Sequence, residues 1–416
     1  MYLTVLTIII CVILLYLSIQ RIMYGKYSYL HVCSIIFFLI QVVSLFVNLF
    51  VDTNEIRVGR DYIALAMTNS NVTYIYDIFC IMTMFILYYV GNKYSKYRVP
   101  INFNSLKRGK ESLSKLLILP MFLPLLGIFL APNPDIYSYF SYFYTHNVGE
   151  FSIDRIYHNT VMSSLNMISF VSLVSCYMLK KKRTYLDILI LIAVIMITWI
   201  DGKRTLFAFS LISILTIDFI KNYEGRKKIW KKAVLFGIVL VGYFAIYSVI
   251  TKKGADSSTS DKYNSYFTRE IEVKLSIYSR TEGNKMLNYD GESLLFNLTY
   301  FIPRTVWNDK PYTFYNYITS YSFYGVGDHF VVGRNLQVNI WAEFIANYGI
   351  IGYFLALLFI IWVVKNTERH SEIFLNIFGA VFVFIYFVFG FEKMCQILFP
   401  IWILLLVKNK LKKEIN

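Results

Sequence analysis

The sequence predicts an all-α, polytopic membrane protein with about eleven transmembrane helices and one long external loop that contains an amphipathic helix. The chain of 416 residues is 57% hydrophobic with a mean hydropathy of +0.52, too apolar for a water-soluble fold. Apolar runs recur along it at the ~20-residue length that a span requires. The 41 Lys and Arg residues, which give a net charge of +15, fall in short clusters between those runs. Such clusters act as topology signals, so no nucleic-acid partner is expected.

Taken in order, the spans are expected near residues 2–20, 30–50, 72–91, 116–131, 159–179, 185–200, 205–220, 233–251, 338–364, 373–391 and 394–407. The first run lacks a basic n-region and a small-residue cleavage site, and is expected to be a retained helix. Residues 1–251 hold spans one to eight, 252–338 form the large external loop, and 339–416 hold the last three spans and a tail. Short basic loops stay on the cytoplasmic side. Placing Asn92 to Lys115, Lys180 to Arg183, Lys221 to Lys232 and the C-terminal tail there puts the N-terminus outside, and all the short inner loops of that scheme together hold 25 of the 41 basic residues. Ten more lie in the long loop, which the rule exempts. The five cysteines all fall in apolar runs without the spacing of a metal site or a disulfide framework, and read as packing residues.

The long loop opens with a Gly/Ser/Asp-rich linker, Lys253 to Asp261. From Tyr266 to Leu287 a helical pattern places Phe267, Ile271, Leu275 and Tyr278 on one face, which predicts a helix lying on the membrane surface. Ser293 to Ile302 is apolar but too short to span, and reads as an interfacial or re-entrant piece ended by Pro303. A second external loop, Pro132 to His158, is rich in aromatics, including Tyr137, Phe143 and Tyr157.

Candidate functional residues concentrate between Pro303 and Gly352. Arg304 and Arg334 flank an aromatic run, and planar guanidinium groups suit a diphosphate better than ammonium does. Lys203 and Arg204 sit in a turn on the expected outer side, against the positive-inside pattern, so they point either to an anionic partner or to Asp201 and lipid phosphate. Arg280 offers a further contact, or simply meets lipid headgroups. Glu343 lies about one turn inside an apolar helix with Asn339 and Asn347 on its face; it serves as general base or holds an arginine in place. His329 follows a Gly-Val-Gly turn and is an acid or base candidate, with an inert loop histidine as the plain alternative. Trp307, Tyr312, Tyr315 and Tyr317 offer faces for pyranose rings, although aromatics also gather at any membrane interface. Gly349 and Gly352 read as a site of close helix packing. No metal or cofactor is expected.

The Phe301-Ile-Pro-Arg-Thr-Val-Trp-Asn-Asp-Lys-Pro311 stretch, the Ala342-Glu-Phe-Ile-Ala-Asn-Tyr-Gly-Ile-Ile-Gly352 stretch and Asp201-Gly-Lys-Arg204 resemble the Wzy-type repeat-unit polymerases of bacterial O-antigen and capsule synthesis. The resemblance implies a glycosyltransferase of the bacterial cytoplasmic membrane with its site facing outward. Such an enzyme takes a growing glycan from an undecaprenyl diphosphate carrier and transfers it to the next lipid-linked oligosaccharide, with chain-length regulator and flippase proteins as potential partners. It further implies that Arg204, Arg304 and Arg334 hold the diphosphate and that Glu343 or His329 is the base. The pattern departs from O-antigen ligases, which carry a His-Asn pair where this chain has Arg334-Asn335. It departs from some polymerases by one residue in the spacing of Arg334 and Gly349. A ligase-type transferase, a lipid-linked oligosaccharide flippase and a non-catalytic scaffold are the competing expectations.

Overall fold

The computed structural model describes residues 2–49, 61–99, 115–146, 152–179, 185–202, 204–221, 270–302, 304–328, 338–387 and 399–415, with isolated residues between 234 and 246 and at 336 and 391. The described residues are helical and contain no strand. The first helices are α1 (Tyr2–Met23), α2 (Tyr29–Asn48, with a π-helical turn at Phe38–Val42), α3 (Asp61–Thr68) and α4 (Ser70–Tyr94). Next come α5 (Leu123–Phe129), α6 (Ile153–Leu179), α7 (Tyr185–Asp201) and α8 (Arg204–Lys221). The last are α9 (Glu270–Thr281), α10 (Glu292–Leu298), α11 (Phe314–Tyr324), α12 (Ile340–Glu368), α13 (Ile373–Tyr386) and α14 (Phe399–Ile415).

Five of these helices are long and apolar enough to cross a membrane: Tyr2–Met23, Tyr29–Asn48, Ser70–Tyr97, Ile153–Leu179 and Ile340–Glu368. They coincide with the first, second, third, fifth and ninth expected spans. The fourth is interrupted, because Pro120 and Pro124 divide it into a single turn and α5. The expected span at 233–251 and the linker at 253–261 fall mostly or wholly outside the described residues.

The chain forms two compact units, residues 1–101 with 258–416, and residues 102–257. In the first unit, caps set where the helices start. Ser28 and His31 form a reciprocal capping box at α2, and Asn69 and Asn339 accept from Val72 N at 3.0 Å and Ala342 N at 2.8 Å. The core is aromatic. The buried Trp341 ring lies 5.6 Å from Phe79, 6.0 Å from Phe37 and 6.0 Å from Tyr386. At the far end of α12, Glu368 accepts from Ser28 Oγ at 2.7 Å and from Tyr29 N at 2.6 Å, and Arg98 lies over the Tyr27 ring. Thus both ends of this bundle carry buried polar groups with the aromatic layer between them.

The expected surface helix forms, as α9, but it does not lie on a surface. Every residue from Glu270 to Ile277 is buried, its charged members included, and the helix packs against α3, α4 and α12. Glu270 finds its partners inside the bundle. Ser44 Oγ at 3.1 Å and Asn48 Nδ2 donate to Glu270, and Lys274 Nζ lies 3.8 Å from the same carboxylate. The 3.6-residue pattern gave the helix correctly, and the partners that cover its polar face come from more than 200 positions away in the chain.

In the second unit the aromatic loop packs inward. Tyr137, Phe143, Met162 and Ile200 share a core, and the His158 ring stacks on Phe143 at 4.4 Å. Trp199 Nε1 donates to Tyr137 O at 3.0 Å, and Ser141 Oγ to Gly202 O at 2.8 Å. Tyr137 and Phe143 therefore serve as core side chains here.

Candidate functional site

The candidate site is built on a break in α12. Gly349 has φ 59° and ψ −133°, a backbone conformation that only glycine adopts readily. The chain folds back there. A Cβ on Gly352 would lie 1.8 Å from Phe344 O, and the Trp341 and Tyr353 rings are 5.9 Å apart although twelve residues of straight helix span ~18 Å. Gly349 and Gly352 thus make a sharp reversal within one segment, and the neighbour that approaches closely is the segment's own first half. Residues 340–348 form a short half-helix, and residues 350–368 remain as the spanning part.

Glu343 anchors the half-helix. Its carboxylate is 1% exposed; Oε1 accepts from Asn297 Nδ2 at 2.7 Å and Ser293 Oγ at 3.1 Å, and Oε2 from Phe391 N at 3.2 Å. Asn347, one turn on, donates to Ser293 Oγ at 2.8 Å. Ser293 and Asn297 stand four residues apart on one face of α10, so the short apolar piece of the sequence docks through its two polar side chains.

The break also frees carbonyl oxygens that a continuous helix would have satisfied. Arg280 of α9 takes them: Nε donates to Ala346 O at 2.8 Å and Nη2 to Asn347 O. Nη2 also meets Asp290 Oδ1 at 2.7 Å. That hydrogen bond holds the Asp290 carboxyl below its ordinary range. The pair therefore adds stability above the usual carboxylate range that is lost as pH falls through the lowered value, and it adds little because Asp290 is half exposed. Arg280 was expected to meet a diphosphate or lipid headgroups, but its fork is instead largely committed to the backbone of α12.

Residues 288–317 form a second polar knot. The buried Glu292 accepts from Asn288 N at 2.8 Å, Asn288 Nδ2 at 3.1 Å and Tyr317 OH at 2.8 Å. Burial, with the Glu292 carboxylate beside it, pushes the Tyr317 hydroxyl well above its ordinary range. Tyr317 is 2% exposed, so its ring is not available to stack on a sugar. Replacing it with Phe is expected to cost about 1–2 kcal/mol, read by chemical denaturation, because Glu292 loses a donor and Tyr312 N loses its acceptor.

The turn from 304 to 312 is closed by Arg304, whose Nη1 donates to Lys310 O at 2.6 Å and Nη2 to Pro311 O at 2.8 Å. The guanidinium carbon lies 4.1 Å from the Tyr312 ring centroid. Arg304 and Tyr312 remain exposed, and Trp307 and Tyr315 are half-buried. Lys310 is buried, donating to Tyr300 O at 3.0 Å and Ile302 O at 2.8 Å. Beside this turn the apolar side chains of Leu298, Phe301 and Val306 are all more than 60% exposed.

Of the residues expected to act together, the first unit brings Glu343 and Arg280 onto the same half-helix and places Arg304, Trp307, Tyr312 and Tyr315 on the 304–315 segment. Lys203, His329 and Arg334 lie outside the described residues, and Arg204 is described only as the first residue of α8. The sequence reading missed Ser293, Asn297, Asp290, Glu292 and Lys310. The i, i+4 spacing of Ser293 and Asn297 was the one signal available; the others depend on contacts that no local pattern encodes. A comparison with protein-family models, with curated proteins and with solved structures finds no match for the chain.

Proposed function

We propose that the chain is a membrane glycosyltransferase that polymerises lipid-diphosphate-linked oligosaccharide repeat units into a surface polysaccharide, at the outer face of a bacterial cytoplasmic membrane. The observation that carries this reading is the exposed Arg304 guanidinium stacked on Tyr312, beside the exposed apolar side chains of Leu298, Phe301 and Val306. A cation with uncommitted N–H groups, a ring face and exposed apolar side chains match the three parts of such a substrate: diphosphate, sugar and polyprenyl tail. Arg204, Arg334, Lys203 and His329 join the proposal from the sequence pattern alone. Glu343 enters it as the carboxylate that positions the half-helix.

A second reading, a flippase for the same lipid-linked substrate, draws support from the charged side chains of Asp77, Glu270 and Lys274 buried among the helices of the first unit. Deleting the gene separates the two. Single repeat units at the outer face support the polymerase; intermediates held on the cytoplasmic leaflet support the flippase; and long polymer left on its lipid carrier supports a ligase. Within the polymerase reading, Arg304→Ala is expected to reduce polymer at least tenfold at unchanged protein level, the loss of a charge-assisted contact of ~1.5–3 kcal/mol. Normal polymer length in that variant sinks the assignment.

A further inference from the structure

Asp77 stands apart from the site above. It is the eighth residue of α4 and is 1% exposed. Its Oδ2 accepts from Thr4 Oγ1 at 2.9 Å, and its Oδ1 has no hydrogen-bond partner among the described residues. Thr7 lies one turn further along the same face of α1, fully buried, and its hydroxyl likewise has no partner among them. Two unpartnered oxygens thus line one seam between α1 and α4.

Asp77 has no ion-pair partner among the described residues. Lys274 and Glu270 on α9 are within electrostatic reach of Asp77, but Lys274 sits 3.8 Å from Glu270, which Ser44 and Asn48 also serve. Glu272 lies on the other side of α9 by helical spacing and has contacts of its own. Cys11 of α1 faces the same seam, and the chain's amino group is three residues before Thr4. Asp77 is thus left inside a spanning helix with a single hydroxyl donor and one oxygen without a partner among the described residues. An ionised carboxylate in that state is costly, and such groups in membrane helices are held by a counter-charge or carry a task.

We propose that Asp77, with the hydroxyls of Thr4 and Thr7, binds one small monovalent cation, a proton or a sodium ion. Oxygen donors of this kind suit a hard cation, whose charge would neutralise the buried Asp77 carboxylate. Glu270 is the less suitable carboxylate because its oxygens already accept from two side chains and face Lys274. The inference is independent of the glycosyltransferase reading, and a cation bound at this place would give the bundle a means of sensing or using an ion gradient.

The test is thermal unfolding of the purified full-length chain, followed by intrinsic fluorescence. One series raises sodium chloride against choline chloride at constant ionic strength and neutral pH; the other lowers pH in sodium-free choline buffer. A binding cation raises Tm with its concentration. A rise with sodium alone identifies sodium, and a rise only with acidity that Asp77→Asn abolishes identifies the proton. Asp77→Asn is expected to remove the response while keeping an acceptor for Thr4. Thr7→Val keeps the side-chain shape and is expected to raise the half-maximal sodium or proton concentration by roughly tenfold through loss of one ligand oxygen. A wild-type Tm that is flat in both series overturns the proposal, as does an unchanged response in Asp77→Asn. Should that variant not fold, an unchanged midpoint in Thr7→Val overturns it as well.

Discussion

Glu343→Ala is expected to destabilise the first unit by about 1–3 kcal/mol for each buried donor it leaves unsatisfied. The carboxylate accepts from Ser293, Asn297 and the backbone of Phe391, and alanine leaves all three donors without it in a buried place. Glu343→Gln separates structure from chemistry. Its carbonyl oxygen still serves Ser293 and Asn297, but its amide now faces the Phe391 N–H, donor against donor, at a cost of about 1–3 kcal/mol. Denaturant titration reads the stability of both variants, and polymer yield per folded protein reads the activity. Retained polymer in Glu343→Gln accords with a positioning role. Abolished polymer in a well-folded Glu343→Gln returns Glu343 to the general-base role that the sequence left open.

Gly349→Ala is expected to cost about 1–3 kcal/mol, because the fold-back holds that residue at φ 59°, ψ −133°. Nothing lies within 4 Å of where its Cβ would go, so the cost is backbone strain and not collision. Gly352→Ala makes the opposite case. Its backbone is helical, but a Cβ there would meet Phe344 O at 1.8 Å, and only a shift of the half-helix relieves the clash. Both variants are expected to loosen Glu343 and the carbonyls that Arg280 holds. Hydrogen exchange over residues 340–348 checks this: faster exchange there, with residues 350–368 unchanged, is the expected result. A uniform change along all of 340–368 would mean that the segment behaves as one continuous helix.

The sequence by itself determined the all-helical class, the places of the most apolar helices, and the helical register of residues 270–281, because composition and a 3.6-residue repeat are local properties. It also marked Glu343 and Arg304 as unusual, from a carboxylate inside an apolar run and an arginine beside a proline. Only the tertiary structure decided what covers each face. The charges of α9 are buried because Ser44 and Asn48 of α2 reach Glu270. Tyr317 is closed to ligands because Glu292 takes its hydroxyl. Arg280 serves the backbone because a break at Gly349 leaves two carbonyls for it. Asp77 is also a carboxylate in an apolar run, but it lacks the asparagines four residues away that set Glu343 apart. Its unpartnered oxygen becomes visible only once α1 and α4 are packed together, since periodicity reports which residues share a face and not what that face meets.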